Sequence, residues 1–188
     1  MRVILASESQ SRKRALDLLG IPYEICPSSI DEKSIRDPDP VALTRNLAEA
    51  KAWKVADTFG DSIVVAGDAV VAKEKRIFEK PRDAEEAVRF LGELSGSSFR
   101  FVTSLVVLRA DTRKMLSTVE TSQITFRPLV DREIRDYVSR HPVLQYAGAF
   151  DGDGVLRFAE SISGSCNIFT AMPVSTLALF LREQGIEV

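Results

Sequence analysis

The chain has 188 residues, 45% of them hydrophobic, with 25 basic and 27 acidic side chains and a formal net charge of −2. That balance supports one globular domain, residues 1–188, with enough apolar material for a real core. It argues against a general nucleic-acid binder, which needs a positive excess to displace counterions, and no apolar run approaches the roughly 18 residues of a membrane span.

Val3-Ile4-Leu5 reads as a buried first strand, and Ala15 to Leu19 as a helix that stops at Gly20. Tyr23 to Cys26 reads as a second strand, followed by a polar connector through Asp37-Pro38-Asp39-Pro40. Proline favours a first helical position, and the apolar spacing from Val41 to about Thr58 predicts a long amphipathic helix. Ser62 to Val71 is a β-branched strand that Gly67-Asp68 is expected to interrupt, Gly67 permitting either close backbone approach or a bulge. A short hairpin at Lys73 to Phe78 leads to a helix from Asp83 to Leu94, ending near Gly96. Two long strands, Phe99 to Arg109 and Met115 to Phe126, are joined by the turn-like Asp111-Thr112-Arg113. A helix from Asp131 is followed by a glycine-rich loop, Ala147 to Gly154, and a strand around Leu156 to Glu160. A loop at Ser163-Gly164-Ser165 precedes a last helix, Val174 to Gln184, opened by Pro173 and closed by Gly185. The expected fold is therefore α/β: one mixed, twisted sheet flanked by helices, its later strands partly antiparallel.

Two cysteines, Cys26 and Cys166, lack metal-binding spacing and read as buried thiols of a reducing cytoplasm. The single histidine, His141, precedes Pro142 and reads as a helix C-cap. With no histidine base and no placed thiol, nucleophilic catalysis by the protein has no obvious carrier.

Chemistry concentrates elsewhere. The segment Ser7-Glu8-Ser9-Gln10-Ser11-Arg12-Lys13-Arg14 is a hydroxyl-rich strand-to-helix turn. Free backbone N–H groups, hydroxyls and the positive helix end all favour a phosphate there. Arg12 and Lys13 oppose the helix dipole, which a purely structural first turn would avoid. Asp68 lies inside the apolar run from Ile63 to Val71, where a carboxylate is costly unless paired or bound to a metal. Lys80 is held extended by Pro81, and Lys51 is a long cation on a helix face of small residues, read from composition as solvated. Asp31 and Glu32 open a loop, where turn chemistry and a role as metal ligand or base are both open for Glu32.

Several of these motifs resemble the Maf family of nucleoside triphosphate pyrophosphatases. Ser7-x-Ser9-x-x-Arg12 followed by Leu18-Leu19-Gly20 is similar to the family's opening signature, with Gln10 in place of a proline and Ser11 in place of Arg or Trp. Ala66-Gly67-Asp68-Ala69-Val70-Val71, Lys80-Pro81 with Leu94-Ser95-Gly96, and Ala48-Glu49-Ala50-Lys51-Ala52 resemble later family patterns. Ala147-Gly148-Ala149-Phe150 is similar to Ala-Gly-Ala-Tyr, and Asp153-Gly154 stands where Gln-Gly or Glu-Gly is usual. The likeness runs from Leu5 to about Leu181.

The resemblance implies a two-lobed Maf/ITPase-like fold with a central cleft, and hydrolysis of a (deoxy)nucleoside triphosphate to monophosphate and pyrophosphate. Water would attack the α-phosphorus with the help of a divalent metal, Mg²⁺ or Mn²⁺. Asp68 would be base or metal ligand, with Glu32 as second metal ligand. Arg12, Lys51 and Lys80 would carry the leaving-group charge, and Ser7, Ser9, Lys13 and Asp153 would complete substrate binding. The family implies pyrimidine (dTTP/UTP) or non-standard nucleotides, with a 7-methyl-GTP branch as alternative, in a cytoplasmic house-cleaning homodimer without nucleic-acid or membrane partners. A rival of another class is a non-catalytic nucleotide-binding regulator of septum formation.

Overall fold

A computed structural model describes all residues, Met1–Val188. The first strand, β1 (Arg2–Leu5), lies parallel to the short β2 (Glu24–Ile25) and to β3 (Ser62–Lys73), with Ile4 opposite both Glu24 and Val64. Between them come helices α1 (Gln10–Asp17) and α2 (Pro40–Ala56). β4 (Arg76–Phe78) turns back antiparallel on β3 through Glu74, whose φ is +52°. Helix α3 (Ala84–Leu94), strands β5 (Ser98–Arg109) and β6 (Lys114–Phe126), and helices α4 (Asp131–Arg140) and α5 (Gly152–Phe158) follow. The chain ends with β7 (Ala159–Gly164) and α6 (Val174–Glu183). The sheet order is β2-β1-β3-β5-β6-β7, with β4 paired to β3, so the architecture is mixed α/β. No helix is long and apolar enough to cross a membrane.

The chain divides into two compact units: residues 1–69, 103–120 and 170–188, and residues 70–102 with 121–169. In the first unit β1 and the opening half of β3, which pair in parallel, carry apolar runs (Val3 to Leu5 and Ile63 to Ala66) because both of their faces are covered, the usual condition of parallel strands. Successive side chains alternate between two cores. Val3, Leu5, Ile63, Val65, Leu105 and Val107 pack with Ala15 and Leu16 of α1 and with Leu177 and Leu181 of α6. Ile4, Ala6, Val64, Ala66, Val106 and Leu108 pack with Ala48, Ala52, Val55 and Ala56 of α2. Asp39 caps α2 by accepting from the Val41 and Ala42 N–H groups, and Pro40 takes the first position as expected.

The second unit is built around aromatic rings. Phe126 packs edge-on to Phe99 (4.8 Å), Phe150 (5.2 Å) and Phe158 (5.7 Å), and Tyr137 to Phe158 (4.9 Å). Edge-to-face contact places the positive rim of one ring on the negative face of the next. Arg127 grips Glu133 with two bonds of 2.8 Å while Glu133 also accepts from the Val130 N–H, which closes the start of α4.

Four expectations change. β3 runs unbroken through Gly67-Asp68: a Cβ at Gly67 would lie 2.6 Å from the Ser104 carbonyl oxygen, so glycine serves close approach and not a break. Residues 152–158 are helix and not loop and strand, because Asp151 accepts from the Gly154 N–H (2.9 Å) and Val155 and Phe158 bury one helical face. The strand starts instead at Ala159 and continues to Gly164, through part of the expected loop; its register against β6 slips between Thr125 and Phe126. The cysteines are free but not buried, Cys26 being half-buried and Cys166 exposed. His141 does end α4 as its C-cap, stacked on Tyr137 at 4.2 Å.

Candidate functional site

The first unit gathers its charges from α1 (Arg12), the 3-10 turn Glu32–Ser34, α2 (Lys51) and the middle of β3 (Asp68). The buried residues of α2 fall at 40, 43, 44, 47, 48, 51, 52, 55 and 56, a helical stripe that contains Lys51. Lys51 is thus carried inside and not solvated; only 7% of its side chain is exposed. Its Nζ donates to Asp68 Oδ1 at 2.7 Å and meets Glu32 Oε1 at 3.0 Å. Asp68 is 10% exposed, whereas Glu32, at the start of a 3-10 turn, is 54% exposed. Asp31 beside it performs turn chemistry, accepting from the Lys33 N–H.

Burial pushes the Asp68 carboxyl above the ordinary carboxylate range, against the opposing charges of Lys51 and Arg12. Burial likewise pulls the Arg12 guanidinium below its usual value, and the charges of Asp68 and Glu32 push it back. Arg12 Nη1 donates to Ser7 Oγ at 3.2 Å, and the Ser9 N–H donates to the same oxygen at 3.2 Å. Arg12 Nε is buried without a hydrogen-bond partner, and it would lie 3.6 Å from a Cβ at Gly67. An orphaned guanidinium N–H beside a carboxylate–ammonium pair is a donor awaiting an acceptor.

Ser9 caps α1 through its backbone only: its side chain makes no cap bond, and the first turn holds no acid. The opening N–H groups of α1 thus lack a side-chain acceptor, the setting in which helix ends receive anions. Lys13 is half-buried, one residue beyond Arg12.

Ser7, Arg12, Glu32, Lys51 and Asp68 therefore form one bonded or charge-coupled group, with Ser9 joined through its N–H. Lys80 and Asp153 belong to the second unit. Both are exposed, Lys80 next to the buried Pro81 and Asp153 in the first turn of α5. The sequence reading passes over Ser104, whose buried Oγ accepts from the Asp68 N–H at 3.1 Å. Its signal is the polar Thr103-Ser104 step inside the apolar stretch from Phe101 to Leu108.

The two carboxylates that share Lys51, Asp68 and Glu32, are hard oxygen donors. They fit Mg²⁺ or Mn²⁺ in the manner of sites that bind through one or two carboxylates and leave the remaining positions to water and phosphate. No group of three or more His, Cys, Asp or Glu side chains is arranged to hold a metal ion.

The family model described as Maf-like protein matches residues 2–184. A nucleoside triphosphate pyrophosphatase of Chlamydia pneumoniae is 32% identical over 188 residues, covering 98% of this chain and 95% of that protein. A dTTP/UTP pyrophosphatase of Carboxydothermus hydrogenoformans is 33% identical over 187 residues, covering 98% of this chain and 100% of that one. Among solved structures, a HAM1 protein from Coxiella burnetii aligns with 97% of this chain and 99% of its own at 14% identity. Its TM-score of 0.49 is too loose to bear on function. With the family model spanning nearly its whole length, and full-length relatives at about a third identity, the chain belongs to the Maf-like family.

Proposed function

We propose that this protein is a hydrolase that cleaves a (deoxy)nucleoside triphosphate to the monophosphate and pyrophosphate, acting on pyrimidine nucleotides (dTTP or UTP) or on non-standard nucleotides. The observation that carries this reading is the buried Lys51–Asp68 pair beside the unpartnered Nε of Arg12. Cations set against a carboxylate of raised proton affinity suit a polyphosphate and a water molecule together. The substrate names of the relatives support the pyrimidine choice.

In this reading Arg12, with its free Nε–H, and Lys51 hold phosphate oxygens and bear the charge that grows on the leaving pyrophosphate. Ser7 and Ser9 and the open N–H groups of α1 add neutral donors, and Lys13 adds a further charge. Asp68 takes the proton of the attacking water as its oxygen bonds to the α-phosphorus and the α–β bridging bond breaks. Its raised proton affinity makes it a better base than an exposed carboxylate. A divalent ion held by Asp68 and Glu32 would polarise phosphate oxygens and neutralise charge. Lys80 and Asp153 enter the proposal on the family resemblance alone, as phosphate and base contacts.

The test is Asp68→Asn. The variant is expected to fold and to lose turnover by at least about 10²-fold in pyrophosphate release from dTTP and UTP. Wild-type rates from the folded variant would remove the proposed base. Tight nucleotide binding by the wild-type protein with no release under Mg²⁺ or Mn²⁺ would favour the non-catalytic regulator instead.

A further inference from the structure

Ser104 sits on β5 inside the first unit, 1% exposed, and its hydroxyl is surrounded by backbone. The Asp68 N–H donates to its Oγ at 3.1 Å. The Oγ in turn donates to the Thr44 carbonyl of α2 at 2.7 Å, with the Asp68 carbonyl farther away at 3.4 Å. A hydroxyl has one proton, and the shorter contact takes it. One buried group thus ties the peptide of Asp68 to the helix that carries Lys51. Thr44 and Lys51 stand seven residues apart, two turns along the same buried stripe. The backbone of Ser104 adds a second constraint, because its carbonyl oxygen leaves no room for a Cβ at Gly67, and the same spot touches Arg12 Nε.

We infer that Ser104 is a positioning residue for the proposed reaction: its hydroxyl sets the separation of Asp68 and Lys51 by fastening β3 to α2. This rests on the pyrophosphatase reading above. The physical case is that a short ion pair between two elements holds its geometry only if the elements are fixed independently. A side chain on either element is free to swing, whereas a bond to the Asp68 peptide and to a helix carbonyl fixes both backbones. Removing it leaves the Asp68 N–H buried without its acceptor and lets α2 slide against the sheet.

The test compares Ser104→Ala with Val3→Ala, a variant in the same unit that loses only packing. Both are assayed well below their own unfolding midpoints. With dTTP and UTP as probes, Ser104→Ala is expected to lower kcat by about 10- to 100-fold with KM within about twofold, the size of effect seen when a reacting group is misplaced by an ångström or less. Val3→Ala should move neither. Amide exchange at Asp68 should accelerate in Ser104→Ala beyond its change in global stability, and in Val3→Ala by no more than that change. Wild-type kcat in Ser104→Ala while Asp68→Asn is inactive would overturn the inference and leave the pyrophosphatase reading standing. Equal loss of kcat in both variants would also overturn it, as a stability effect. No pyrophosphate from the wild-type protein would overturn the reading and the inference together.

Discussion

Replacing Lys51 by methionine keeps the length of the side chain and removes its charge from the most deeply buried ion pair of the first unit. At 2.7 Å the pair's gross attraction is about 6 kcal/mol with an effective dielectric of 20. Desolvation of both groups consumes most of that, so the intact pair is worth little net, but breaking it strands Asp68 at a cost of about 3–5 kcal/mol. Arg12 remains near Asp68 and softens the loss, and Glu32 is exposed enough to rehydrate. The expected cost of Lys51→Met is therefore about 3 kcal/mol, or a fall of about 6–12 °C in Tm for a chain of this length. Asp68→Asn leaves Lys51 its bond to Glu32 and an amide oxygen, and should cost about 1 kcal/mol. The double variant should then lie about 2 kcal/mol below wild type and not the 4 that independent losses would give.

Trp53, the chain's single tryptophan, sits on α2 two residues from Lys51, so its fluorescence in urea reports unfolding of the first unit. The sign of the pH dependence is fixed by the direction of the Asp68 shift. Its folded carboxyl already holds a proton more tightly than the unfolded one, and loss of Lys51 strengthens that hold. The deficit of Lys51→Met should be smallest below the ordinary carboxylate range, about pH 4, and grow as pH rises through the raised folded value. Additive costs in the double variant, or a Lys51→Met deficit independent of pH, would refute the pair as described.

Gly67→Ala should cost about 1–3 kcal/mol, since the new methyl would meet backbone oxygen at 2.6 Å and the flexible Met172 terminus at 3.3 Å; thermal unfolding measures it, and an unchanged midpoint would deny the close approach. Turnover should fall with it, because relief of the 2.6 Å contact moves the stretch of β3 that carries Asp68. In the second unit, Arg127 holds the Glu133 carboxyl below its usual range. That contribution is present above the unfolded carboxylate value and is lost as pH falls through the depressed folded one. Glu133→Gln should flatten stability over that acid window and cost about 1 kcal/mol at neutral pH, read by calorimetry at pH 7 and pH 4.

What the linear order of residues determined was local or periodic. The strand Ser62 onward, the helix opened by Pro40, the helix beginning near Asp83, and the stops at Gly20, Gly96 and Gly185 follow from short-range sterics and hydrogen bonding, and all are present in the fold. The α5 segment departs from the strand expectation because Leu156-Arg157-Phe158 alternates apolar with polar over only three residues, too few to tell a strand from a helical turn. Only the Asp151 cap and the burial of Val155 with Phe158 select the helix. The isolated carboxylate in β3 was visible as an anomaly, but its partner was not. Lys51 in an alanine-rich helix has the composition of a surface lysine, and 17 positions separate it from Asp68. Whether such a cation is solvated or buried depends on which face of α2 meets the sheet, a choice made by the packing of the whole first unit. The same holds for Ser104, 36 residues beyond Asp68: a hydroxyl becomes part of a site only when folding brings a peptide N–H and a helix carbonyl to it.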